Sequence, residues 1–109
     1  MLYTNALLFT PDRGFVPGGF TVENGRFGEL FFDDRRGGVD LGGAKVLPGL
    51  VDAHTHGAMG ADFSDGDLAG LTRMAAYLAQ NGVTSFAPTS MTLPYETLAA
   101  AFATAVTLR

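Results

Sequence analysis

The stretch Val46-Leu47-Pro48-Gly49-Leu50-Val51-Asp52-Ala53-His54-Thr55-His56-Gly57-Ala58-Met59-Gly60 decides how the rest of the chain is read. It reads as a buried strand that ends in chemistry. Leu47, Leu50 and Val51 supply the apolar bulk of a core strand. Pro48-Gly49 marks its start, because proline cannot donate to a central ladder. Asp52, His54 and His56 fall at alternate positions. Strand side chains alternate faces, so these three share one face, while Val51, Ala53 and Thr55 share the other. Two imidazoles so spaced can reach a single divalent cation, with Gly57 and Gly60 giving a turn around them. A structural or solvated pair is the plainer reading, but these are the only 2 histidines in the chain. Two ligands also fall short of the three or more, plus an open position, that a catalytic zinc-type site uses. With no cysteine and no third histidine, any further ligand has to be Asp or Glu.

The bulk composition narrows the function classes. A chain of 109 residues is one domain or part of one, and 47% hydrophobic residues suit a globular core. A net charge of −4, with only 7 Lys and Arg, argues against a nucleic-acid partner. The absence of cysteine rules out disulfides and thiol chemistry and fits a reducing, cytoplasmic setting. Met1–Asn5 lacks the basic start of a secretory signal, and no apolar run approaches the ~20 residues of a membrane span. Neither export nor a membrane is therefore expected.

Residues 1–45 read as a small antiparallel β module. Leu2–Phe9 is a first strand, and Pro11-Asp12-Arg13-Gly14 a turn. Gly19–Glu23 alternates Phe20 and Val22 with Thr21 and Glu23, as a half-buried strand does. Asn24-Gly25 is a two-residue hairpin signal, because both residues tolerate positive φ. Arg26–Phe32 returns as the partner strand. The charges of Asp33-Asp34-Arg35-Arg36 are expected to face water, ahead of a short strand at Val39-Asp40-Leu41.

Residues 46–109 read as strand, helix, strand, helix. Asp62, Asp65 and Asp67 lie beside the histidines and invite a ligand role, but capping a following helix explains them better. Leu68–Asn81 is an amphipathic helix on Leu68, Leu71, Ala75 and Leu78, with Met74 flanking and Gly82 as its left-handed cap. Val83–Ala87 is the second strand. Pro94 opens a second helix over Tyr95–Leu108, with Leu98, Phe102 and Ala105 on one stripe. That alternation implies parallel strands with helices outside, and ligands then bind at the strands' C-terminal ends, where His54 and His56 lie.

Val46 to Gly57, with its His54-Thr55-His56, resembles the first barrel strand of the amidohydrolase superfamily. Within it, His56-Gly57-Ala58-Met59-Gly60-Ala61-Asp62 and Asn81-Gly82-Val83-Thr84-Ser85-Phe86-Ala87-Pro88-Thr89 are most similar to the N-acetylglucosamine-6-phosphate deacetylases. The resemblance implies an α/β fold. Residues 1–45 would be the N-terminal part of a small β-sandwich, and residues 46–109 the first two βα units of a (β/α)8 barrel. It implies a hydrolase of amino sugar metabolism in which His54 and His56 ligate a divalent metal, zinc or iron, and Asp52 orients a ligand. The metal would polarise the acetamide carbonyl and activate water, and a carboxylate would move the proton. Neutral imidazole is the ligating form, so metal binding should weaken as the rings protonate. The substrate would be an amino sugar phosphate and the enzyme a possible homodimer. The further ligands, the catalytic carboxylate and the phosphate site would lie in later strands, so no residue of this chain is given a catalytic role and the chain alone should not turn over. A different amidohydrolase, acting on a cyclic amide or a deaminated ring, is one alternative. A non-catalytic remnant or binding module is the other.

Overall fold

A computed structural model describes residues 1–108 and divides the chain into two compact units, Met1–Pro48 and the residues from Gly49 onward. The first unit is one sheet of four strands: β1 (Leu2–Thr10), β2 (Gly14–Glu23), β3 (Arg26–Phe31) and β4 (Val39–Val46), in the order β3-β2-β1-β4. Asn24 and Gly25 join β2 to β3 with φ of 51° and 73°, the two left-handed residues that a type I′ turn demands.

The sheet is mixed, which corrects the antiparallel reading: β4 runs parallel to β1. Its sequence neighbour β3 lies at the opposite edge, so no hairpin can deliver it. Phe32 to Gly38 carry the chain across instead, held where Thr4 Oγ1 donates to the Gly37 carbonyl at 3.1 Å. Val39 then arrives beside Tyr3. Ala6, Leu8 and Phe20 form the core of this unit, flanked by Tyr3, Val22, Leu41 and Val46. The charged loop is less free than expected. Arg35 grips both oxygens of Glu29 at 2.7 and 2.8 Å, donates to Asp33 and lies 4.2 Å over the Phe31 ring.

The division between the two compact units lies after Pro48. Val46 pairs with Leu8 and closes β4, so the histidine-bearing strand starts only at Leu50.

The second unit comprises β5 (Leu50–Thr55), β6 (Gly57–Ala58), β7 (Ala61–Asp62), a 3-10 turn (Phe63–Asp65), α1 (Leu68–Gln80), β8 (Val83–Pro88) and α2 (Tyr95–Thr107). β5 and β8 are parallel neighbours joined through α1, the order that the alternation of strand and helix implies. Met74 is the centre of the core at 0% exposure rather than a flank, surrounded by Phe63, Leu71, Leu78 and Ala101. Gly82, with φ 83°, follows the Asn81 cap as expected. Pro94 precedes α2 as its cap residue rather than opening its first turn.

A further expectation is overturned. β5 is not buried: Leu50 is 54% and Val51 69% exposed. The core takes Val83 and Phe86 from β8 and nothing from β5, which has a single partner strand among the described residues. No helix among the described residues is long and apolar enough to cross a membrane.

Candidate metal centre

His54 stands near the C-terminal end of β5 and His56 one residue beyond it. Their Nε2 atoms approach to 3.2 Å, with the rings nearly perpendicular at 81°. The two histidine rings thus meet, while the strand's register shifts between Asp52 and Thr55 and Asp52 does not join them. On the far side of the ring, His56 Nδ1 lies 2.8 Å from the carbonyl oxygen of Thr89, just past β8. The backbone holds both ends of this arrangement. Thr89 N–H donates to the Thr55 carbonyl at 2.8 Å, and Phe63 N–H to the His56 carbonyl at 2.7 Å.

The spacing suits a shared cation. Two nitrogens bound to one tetrahedral zinc at about 2.0–2.1 Å each lie roughly 3.3 Å apart. The pair already stands at that separation, and His54 is exposed. Imidazole nitrogen is a suitable donor for zinc or iron. Among the described residues, however, no group of three or more His, Cys, Asp or Glu is placed to hold a metal ion.

The neighbouring carboxylates are engaged with backbone. Asp52 Oδ1 accepts from the His54 amide at 3.1 Å, so its bond is to strand backbone, and the group that touches a histidine ring is the Thr89 carbonyl. Asp62 and Asp65 form a reciprocal capping box around the 3-10 turn. Asp67 accepts from Ala69 N and Gly70 N, both at 3.0 Å, and starts α1. Capping thus accounts for all three. Gly57 is required for another reason. A Cβ there would strike the Ala61 carbonyl and Asp62 Cα in the facing strand of the β6–β7 hairpin. Thr89 escaped the sequence reading because its contribution is a main-chain oxygen, which no side-chain pattern announces.

No family model matches the chain. Curated relatives do. It is 40% identical over 65 residues to an N-acetylglucosamine-6-phosphate deacetylase of Vibrio furnissii, covering 60% of this chain and 16% of the relative. To the enzyme of the same name from Bos taurus it is 38% identical over 74 residues, covering 62% and 18%. The chain resembles the N-acetylglucosamine-6-phosphate deacetylases. The crystal structure of that deacetylase from Thermotoga maritima superposes with a TM-score of 0.76 at 26% identity, covering 99% of this chain and 28% of that one. The chain thus spans about a sixth of the length of the curated relatives and little more than a quarter of the solved structure.

Proposed function

We propose that this chain is the opening part of a metal-dependent amidohydrolase that cleaves the acetamide of N-acetylglucosamine 6-phosphate, giving glucosamine 6-phosphate and acetate. The observation that carries the reading is the convergence of His54 Nε2 and His56 Nε2 at the C-terminal end of a parallel strand, in a chain similar to deacetylases of that name.

In this reading His54 and His56 hold a divalent cation, zinc or iron. When bound, the cation supplies Lewis acidity toward the amide carbonyl and toward water. Asp52 serves indirectly, by tying the His54 amide to the strand. The two βα units are the first of a (β/α)8 barrel, and the exposed Leu50 and Val51 of β5 support this, since barrel strands are covered on both sides. Met1–Pro48 is part of a small β-sandwich. Its sheet carries an apolar groove lined by Leu8, Phe20, Phe27 and Leu30, the kind of surface a second sheet covers. The remaining ligands, the proton-handling carboxylate and the phosphate site come from outside these 109 residues, so the isolated chain binds metal weakly and does not turn over. A cytoplasmic homodimer is the working assembly.

The test is acetate release from N-acetylglucosamine 6-phosphate by the protein isolated from its source cells, after its intact mass is measured. Activity that a chelator removes, a divalent cation restores and His54→Ala abolishes is the expected result. No release by a cation-loaded protein, or full activity in His54→Ala, would overturn the proposal. Robust cation-dependent turnover by the 109-residue chain would overturn the division of labour.

A further inference from the structure

We infer that the Thr89 main-chain carbonyl is a positioning group that fixes His56 as its Nδ1–H tautomer, leaving His54 as the ring that must change tautomer when a cation binds. This rests on the metal-centre reading above, but its first half concerns the cation-free chain alone.

The argument is one of donors and acceptors. A carbonyl oxygen can only accept, so at 2.8 Å from Thr89 O the His56 Nδ1 carries the hydrogen. A neutral imidazole has one N–H, so His56 Nε2 keeps its lone pair. That lone pair lies 3.2 Å from His54 Nε2. Two lone pairs would repel at this distance, so in the neutral pair His54 Nε2 holds a hydrogen and donates it. A cation taking both Nε2 atoms finds His56 ready and His54 blocked. The His54 hydrogen must leave Nε2 for water while Nδ1 takes one from water, so the ring stays neutral and no net proton is released. His54 is exposed, which gives water the access this exchange needs.

Thr89 is well held for this task. Its N–H is bonded to the carbonyl of Thr55, the residue before His56, and its Oγ1 donates to the Ala87 carbonyl at 3.1 Å. The adjacent residues Thr55 and His56 thus grip both sides of the Thr89 backbone. The orientation of the His56 ring is set by the β5–β8 pairing and does not wait for the cation. Outer groups of this kind select which ring nitrogen ligates.

Long-range 1H–15N spectra of the full chain, with both rings neutral and no cation, read the tautomers directly. The expected result is a protonated δ1 and bare ε2 nitrogen for His56, and the reverse for His54. Adding Zn2+ should shift the ε2 nitrogens of both rings, leave the His56 δ1 hydrogen in place and move the His54 hydrogen to δ1. In His54→Ala, His56 should keep the same tautomer, because Thr89 sets it. An Nε2–H or mixed His56 in the cation-free chain, or a His56 that becomes mixed in His54→Ala, would overturn the role of Thr89. A fixed His56 tautomer with no response of either ring even to Zn2+ in large excess would uphold that role and overturn the metal-centre reading instead.

Discussion

β1 and β5 each have a parallel neighbour, β4 and β8, yet they use their alternate positions for opposite ends. In β1, Ala6 and Leu8 turn one way, are both buried and belong to the core of their unit. In β5 the alternate positions carry Asp52 and His54, continued by His56, and the strand gives no side chain to a core. Packing in the second unit falls to α1, β8, Phe63 of the 3-10 turn and Ala101 of α2. The comparison teaches that alternation locates a face, while residue type and the neighbouring elements decide whether that face packs or reacts. A strand relieved of packing can carry polar side chains without a burial cost.

That contrast can be broken most forcefully at its packed end. Met74→Ala and Leu8→Ala each remove a buried side chain and should cost about 2–5 kcal/mol, measured by urea unfolding followed by circular dichroism. His54→Ala should leave that curve nearly unchanged, because no core residue leans on it. Removing both histidines should instead lower affinity for Zn2+ by at least about 100-fold in calorimetric titration, since no other ligand cluster stands among the described residues. If Met74→Ala matched that loss of affinity while still folded, the separation of packing from chemistry would fail. Gly57→Ala probes the seam between the two roles. Its methyl group meets main chain that cannot step aside, so a loss of roughly 1–3 kcal/mol is expected together with weaker Zn2+ binding.

The smallest effect belongs to the surface of the first unit. The Arg35 hydrogen bonds hold the Glu29 carboxyl below its usual range. A pKa lowered by folding adds stability above the unfolded value and loses it as pH falls through the folded one. Wild type and Glu29→Gln should therefore differ slightly near neutrality and converge in acid, read as melting temperature against pH. The pair is exposed, so a large difference would contradict its screening by solvent.

Two hairpins show how far the sequence could be read. Asn24-Gly25 and Met59-Gly60 adopt the same left-handed pair of φ angles, 51° and 73° against 57° and 71°. The first is plain in the sequence because both residues accept that conformation. The second is hidden, because methionine does not favour it and the closeness of β6 and β7 imposes it. The parallel placement of β4 was equally hidden, since a crossing segment of Gly, Asp and Arg carries no pattern that fixes direction. Helix α1, its Asp67 and Gly82 ends and the β-α-β order were legible because each rests on local propensity. The exposure of Leu50 and Val51 was not, because burial depends on what lies across from a strand. Of the site, the two histidines and their shared face could be read. The Thr89 oxygen could not, because main-chain groups are the same at every position.

Met74 has a consequence of a chemical kind. The chain has 4 methionines, and Met1, Met59 and Met91 are exposed while Met74 is fully enclosed. Under dilute peroxide the three outer thioethers are open to oxygen-atom transfer at once, and the fourth reacts only when α1 lifts from its surroundings. The lag before the fourth sulfoxide, read by mass spectrometry, is then a clock for the opening of the unit that carries the histidines.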